Sequence, residues 1–461
     1  MLKRANRFKR YVELLRLPHP SLWKFVVMLR ITSVLPVLVL ACLNSLALSA
    51  ERPPNVVVIV ADDLGLECVE SYGGLSYKTP NIDALAAEGI RFTHCFSNPL
   101  CSPSRAQLLT GRYPFRNGIT RVIYEPENHR EFLDPTQETS FATLLKKAGY
   151  ATAIAGKWQV SFLHERDTLN AHGFDEYQMW QIFHEGQKTS RYADPTMRQN
   201  GKVLQKELQG KYGPEVNVAF LIDFMRRHKD EPFLVYYTAL LPHYPWEPTP
   251  DSEDPLQAAE GDGNAKYMPH MVAYLDKQVG QLVAALEELK LRDNTLVLFV
   301  ADNGTDRRIK SRWTNGMVTR NVPGGKGTMT DAGTRVPLIA NWPGVIAAGK
   351  TNDDLVDLSD LLPTLVELTG ASLPAKPIDG RSFLPQLRGE PGNPRSWIHV
   401  QDKQQRYLRN RDYILTWQGQ LRPVVETGQP KAATIKPPYD SQQEQARTQL
   451  KKAQQGLRET N

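Results

Sequence analysis

The order of apolar segments predicts an α/β fold: a large, mostly parallel β-sheet flanked by helices on both faces, with a small C-terminal α+β subdomain. Three observations carry this expectation. Apolar β-branched runs alternate with stretches of helical spacing, the pattern of strand–helix–strand crossovers. The runs are uninterrupted by polar residues, as in strands buried on both faces. Beyond about Gly370 the alternation gives way to Pro-rich turns and short strands, marking a smaller unit.

Taken in order, Asn55–Ala61 (Asn-Val-Val-Val-Ile-Val-Ala) is a continuous apolar run and the first strand. Thr79-Pro80 starts a helix, with Thr as cap and Pro in the first turn, and Gly89 ends it. Phe141–Lys147 is a short helix stopped by Gly149, and 151–155 follows as a strand. Residues 160–215 are polar and weakly periodic, and are expected to form long loops over the active face. The run 232–238 is another buried strand. A helix over 267–290 places Met268, Met271, Val272, Leu275, Val279, Leu282, Leu286 and Leu289 on one stripe. Thr295–Ala301 is the clearest strand, and 337–341 with a helix near 360–368 continues the pattern. A strand over 406–417, a linker at 428–439 and a terminal helix carrying Ala446, Leu450, Ala453 and Leu457 complete the chain. The expected division is 1–50 export signal, 51–375 large α/β domain, 376–425 small subdomain, and 426–461 linker and terminal helix.

Composition is that of an ordinary folded protein, 41% hydrophobic and 23% charged. The net charge of +6 does not indicate nucleic-acid binding. Residues 1–30 hold eight Lys or Arg against Glu13, a local +7, so the rest of the chain carries −1. The uncharged run 31–50, preceded by Lys24 and Arg30 and ending in small residues, has the layout of an export signal. Its basic region is long, and a start at Met28 would give a signal of ordinary length. The competing reading is an uncleaved anchor, the one circumstance in which a membrane association is expected. Val39-Leu40-Ala41-Cys42 faintly resembles a lipoprotein cleavage box. Past the signal three cysteines remain, Cys68, Cys95 and Cys101; if the first two pair, Cys101 is left over.

Asp62-Asp63 follows the first strand and Asp302-Asn303 follows the strand 295–301. Ligands bind at the carboxyl ends of strands in open α/β sheets. Two such pairs bring four hard oxygen donors to one point, a set suited to calcium or magnesium rather than zinc. Taken singly, each pair is an ordinary turn sequence.

The segment Cys101-Ser-Pro-Ser-Arg105-Ala-Gln-Leu-Leu-Thr110-Gly111-Arg112 resembles the signature of the sulfatases, in which the cysteine is oxidised to formylglycine during export. Asn55 to Asp63, Gly156-Lys157-Trp158, Ala301 to Gly304 and Lys326 to Pro337 fall in that family's order, so the resemblance runs from about 52 to 390. It implies hydrolysis of a sulfate ester to an alcohol and inorganic sulfate. The implied calcium ligands are Asp62, Asp63, Asp302 and Asn303. Arg105 would bond the hydrated formylglycine or its neighbouring ligands. Lys157 and Lys326 would face the sulfate, and His243 would stand near the leaving oxygen as general acid. The implied partners are a sulfated small molecule or carbohydrate and a formylglycine-generating enzyme, in an exported, periplasmic or secreted protein.

The physical reading agrees. Pro103 in a helix first turn leaves residue 101 beside free N–H groups and a positive dipole end. A hydrated aldehyde has two hydroxyls: one oxygen attacks sulfur, and the other later expels sulfate and regenerates the aldehyde, which a serine could not do. Three positions depart from the family pattern. Gln159 stands where a histidine is usual, and an amide cannot act as a base; His164, His172 and His184 lie downstream as substitutes. Asp331-Ala332-Gly333 replaces Glu-Gly-Gly, and no Leu-Tyr-Asp-Leu stretch follows Trp417. Two rival readings are a phosphate or phosphonate ester hydrolase of the same superfamily and a catalytically silent sulfate-binding protein. Tyr244 and Trp246 are placed either to stack on a sugar ring or simply to pack.

Overall fold

Asn55–Ala61, buried at every position, pairs in parallel with Thr295–Ala301 on one side and with Phe233–Thr238 on the other. The computed structural model describes residues 52–123, 132–163, 168–259, 261–425, 427, 429 and 432–459. The expected export signal therefore lies outside the described residues. Ten strands form the main sheet, in the order Lys350–Asp357, Ile90–Phe96, Arg335–Asn341, Thr295–Ala301, Asn55–Ala61, Phe233–Thr238, Ala151–Gly156, Glu176–Trp180, Met197–Gln199 and Lys202–Leu204. The register Ala61↔Ala301 is the feature that matters for function: it makes Asp62 and Asp302 leave the sheet side by side.

Two elements differ from expectation. Arg335–Asn341 is antiparallel to both neighbours, because a fully buried apolar run has no pattern that encodes direction. The polar stretch 160–215 is not all loop. Glu176–Trp180 extends the sheet in parallel, and the short pair Met197–Gln199 and Lys202–Leu204 closes its edge. Three-residue edge strands with partly exposed side chains are too brief to show periodicity.

The helix Met268–Glu288 buries the expected stripe except Leu289, which lies just past it and is partly buried. It packs on Pro80–Ala87 and Gly213–Arg227. Thr79 does not cap the helix that it precedes. Its hydroxyl accepts from the Glu70 N–H and donates to Asp83. The cap comes from across the interface, where the Asp276 carboxylate accepts from the N–H groups of Asn81 and Ile82 at 3.2 and 2.9 Å.

The C-terminal subdomain is a four-stranded antiparallel sheet, Ile398–Asp402, Gln405–Arg409, Tyr413–Thr416 and Leu421–Pro423. The expected single strand at 406–417 is thus two strands and a turn. The helix Ser441–Glu459 covers it with Ala446, Leu450 and Leu457 buried and Ala453 partly so. The described residues from 53 onward form one compact unit. Cys68, Cys95 and Cys101 are all free and buried. Among the described residues no helix is long and apolar enough to cross a membrane.

Candidate active site at the strand tips

The site is assembled where the two central strands end. The Asp62 N–H donates to the Leu241 carbonyl, and the Asp302 N–H to that of Ala61, which fixes both chain exits. Asp63 adopts a left-handed backbone (φ 65°) and donates its N–H to Asp302 Oδ1 at 3.2 Å. Asn303 donates its amide to Asp63 Oδ1 at 2.7 Å, whereas its own Oδ1 is buried with no hydrogen-bond partner among the described residues.

Around these acids stand three cations from three other elements. Cys101 is the first residue of the helix Cys101–Thr110, all ten residues of which are buried. One turn along, Arg105 places Nε 2.9 Å from Asp302 Oδ2 and donates from Nη1 to the Lys157 carbonyl at 3.0 Å. Lys157 follows the strand Ala151–Gly156 and sets Nζ 2.8 Å from both oxygens of Asp62. Gly156 makes that exit possible: its φ is 115°, and a Cβ there would lie 1.8 Å from the Thr238 carbonyl oxygen. Lys326 reaches Asp63 Oδ2 at 2.6 Å. His243, after the strand Phe233–Thr238, holds Nε2 3.7 Å from the same oxygen. All the expected site residues are therefore brought to one place, Cys101 included, whose thiol lies within electrostatic reach of Arg105 and Lys326.

Burial and charge set the protonation of the acids. Burial pushes Asp62 up, but Lys157, Arg105 and Lys326 outweigh it and hold the carboxyl below its usual range. Burial wins at Asp63, which rises despite Lys326, and at Asp302, which is pushed up to about 6 against the pull of Arg105. His243 is driven well below its ordinary value by burial and by Lys326, Lys157 and Arg191.

These residues fit a hard divalent cation. Asp62, Asp63 and His243 offer ligand atoms within 4.8 Å of one another. Asp63 can be pulled from Lys326, and the buried Asn303 Oδ1, unpartnered among the described residues, is an unused oxygen donor. Three carboxylates against Arg105, Lys157 and Lys326 also leave the cluster near neutral. A divalent ion held there would tip the balance to positive.

Gln159 has a left-handed backbone (φ 53°) and sits directly on the thiol, whose Sγ donates to Oε1 at 3.4 Å. Its carbonyl accepts from the Ser102 hydroxyl at 2.7 Å. The downstream histidines do not replace the missing imidazole. His172 bonds the Leu133 carbonyl, packs on Trp158 and is lowered to about 4 by burial. His184 lies on a small separate hairpin, and His164 is outside the described residues. Trp246 is buried and packs, whereas the Tyr244 ring is partly buried and meets His243 at 4.5 Å and Arg308 at 4.4 Å. Asp331 pairs with Arg409 of the C-terminal sheet. Sequence reasoning missed Arg191, whose Nη1 lies 3.1 Å from His243 Nδ1. It sits in the polar stretch that reads as loop, and nothing in its local sequence marks it.

Residues 54–371 match the family model described as Sulfatase. Arylsulfatase A of Bos taurus is 37% identical over 369 residues, which cover 76% of this chain and 70% of that protein. The N-acetylgalactosamine-6-sulfatase of Canis lupus familiaris is 34% identical over 378 residues, covering 76% and 69%. Among solved structures, Ps i-CgsB in complex with k-i-k-neocarrahexaose superposes with a TM-score of 0.67 at 26% identity, over 80% of this chain and 86% of that one.

Proposed function

Since the chain belongs to the sulfatase family, whose named members are sulfuric ester hydrolases, we propose that it cleaves sulfate esters through a formylglycine made from Cys101 and a calcium ion held by Asp62, Asp63, Asp302 and Asn303. The observation that carries this reading is the meeting of Cys101, two oxygen-rich strand tips, Lys157, Lys326 and His243 at one buried point. Calcium, when bound, supplies the positive charge that favours an ionised hydroxyl at position 101 and the approach of an anionic ester.

The chain's own groups do the rest. Lys157 and Lys326 exchange their carboxylate contacts for sulfate oxygens and spread the charge of the transition state. Arg105 keeps Asp302 and the 157 carbonyl in place, which fixes the lysine beside it. A hydrated formylglycine at position 101 would supply the oxygen that bonds to sulfur as the bond from sulfur to the ester oxygen breaks. His243 delivers a proton from Nε2 to the departing alcohol; burial, then Lys326, Lys157 and Arg191, lower its hold on that proton, and the bound sulfate offsets the lysine charges. Its second hydroxyl would then let the carbonyl re-form as the bond from residue 101 to the sulfate oxygen breaks, with its proton passing to solvent. Gln159 can hold that hydroxyl by its amide but cannot take the proton, so this second step is expected to be the slow one.

The substrate class is a sulfated small molecule or carbohydrate, and the setting an exported protein matured by a formylglycine-generating enzyme. Matched aryl sulfate and aryl phosphate esters test the reaction. Faster turnover of the phosphate would transfer the protein to the phosphohydrolase branch. A formylglycine-bearing, calcium-loaded sample that binds sulfate but turns over nothing would make it a silent binder.

A further inference from the structure

Arg191 is 6% exposed, and its guanidinium lies over the Trp180 ring at 3.9 Å. Among the described residues no carboxylate comes within ion-pair reach of it, although Asp62 and Glu247 both feel its charge. Among the described residues its one side-chain hydrogen-bonding contact is His243 Nδ1 at 3.1 Å, and that nitrogen is also 2.5 Å from the Tyr244 carbonyl oxygen. A ring nitrogen serves one of these at a time. If it carries a proton, it donates to Tyr244 and Arg191 has no acceptor; if not, Arg191 donates to it. Either way at least four of the five guanidinium N–H groups stay unpaired.

A buried cation without a counter-charge costs several kcal/mol on general grounds, and such groups are ordinarily paired. None of the Arg191 nitrogens is both sealed from solvent and unpartnered, so the free N–H groups keep some access to solvent, on a guanidinium that meets the His243 ring through Nη1. That ring marks the side assigned to the leaving alcohol, beyond the sulfate-facing lysines. Lys188 adds a second positive charge close by: burial and Arg191 both depress its ammonium.

We propose that Arg191 is a specificity-determining residue that grips a second anionic group, a carboxylate or a further sulfate, on the alcohol part of the substrate near the ester that is cleaved. This rests on the sulfatase reading. A planar guanidinium stacked on an indole is pre-oriented for two parallel hydrogen bonds to such a group. A neutral hydroxyl would leave the charge uncompensated.

The test compares kcat/KM of the formylglycine-bearing, calcium-loaded protein on three sugars: a neutral monosulfated one, a disulfated one and a sulfated uronic acid. At least one anionic sugar should exceed the neutral one by about tenfold or more, and which one does so identifies the anion. R191Q should collapse that ratio towards one, and R191K should keep part of it. Equal rates on all three sugars, or an equal loss on all three in R191Q, would overturn the proposal and leave Arg191 as a support for His243. Calorimetric titration with the corresponding desulfated alcohols gives a readout independent of turnover. The anionic alcohol should bind and the neutral one should not, with the difference lost in R191Q. If none of the three esters is hydrolysed but this binding difference holds, the sulfatase reading fails and the anion site stands; equal binding of the alcohols sinks the site alone.

Discussion

The helix Cys101–Thr110 touches two buried clusters of aspartate and arginine, and they are built on different principles. Behind the helix, Asp357 and Asp360 meet Arg395, with Gln107 donating to Asp357 at 3.1 Å. Every carboxylate oxygen there is filled by a donor that cannot leave: the N–H groups of Ser359, Arg381 and Asp357, the hydroxyls of Ser359 and Tyr113, and the guanidinium. At the strand tips, the oxygens of Asp62 and of Asp63 Oδ2 are instead held by lysine ammonium groups on flexible stems, and the Asn303 oxygen is held by nothing among the described residues. Burial lifts an aspartate to about 6 in both places, Asp302 in one and Asp360 in the other. Burial with a perturbed carboxyl is therefore common to both clusters; exchangeable partners set the strand tips apart.

Four experiments would break or sharpen this contrast. The largest effect is expected from Cys101→Ala, which should lower sulfate-ester turnover on the order of a thousandfold or more while shifting the unfolding midpoint little. Arg395→Met should do the reverse. Leaving two buried carboxylates without their counter-charge should cost about 3–5 kcal/mol in urea denaturation, with the calcium response of the remaining folded protein intact. Calcium at a hundred times its dissociation constant should raise the stability of the wild-type protein by about 2.7 kcal/mol. Asp63→Asn should remove that gain, read as loss of the thermal shift on calcium addition.

The smallest effect concerns Glu247, a buried acid with no cation in ion-pair reach among the described residues, pushed up to about 7 chiefly by burial. A carboxyl whose folded value is raised binds its proton more tightly when folded. Its stabilising contribution is therefore complete below about 4.5 and is lost as pH climbs through 7. Melting temperature should fall from pH 5 to pH 8, and Glu247→Gln should flatten that fall.

The parts of the fold legible in the sequence were those where burial on both faces dictates composition. Asn55–Ala61 and Thr295–Ala301 match residue for residue, and the Asp pairs that follow them inherit their position from those strands. The direction of Arg335–Asn341 was not legible, nor were the edge strands of 160–215. The trans cap by Asp276 and the Asp357–Asp360–Arg395 cluster join residues tens to hundreds of positions apart, through contacts that no local pattern announces. At the site, Cys101 and Lys157 came from a family resemblance and Gln159 from a departure within it. Arg191 came from the structure alone, because its significance is a missing counter-charge, a property of space and not of sequence.

The position of Cys101 has a consequence for timing. It is 2% exposed, within a helix that has no residue at the surface and that is bolted at Arg105 to one cluster and at Gln107 to the other. A macromolecular oxidant has no route to that sulfur once the sheet has closed. Under the proposed chemistry, maturation must precede folding, and a chain that folds first keeps an inert thiol for the rest of its life.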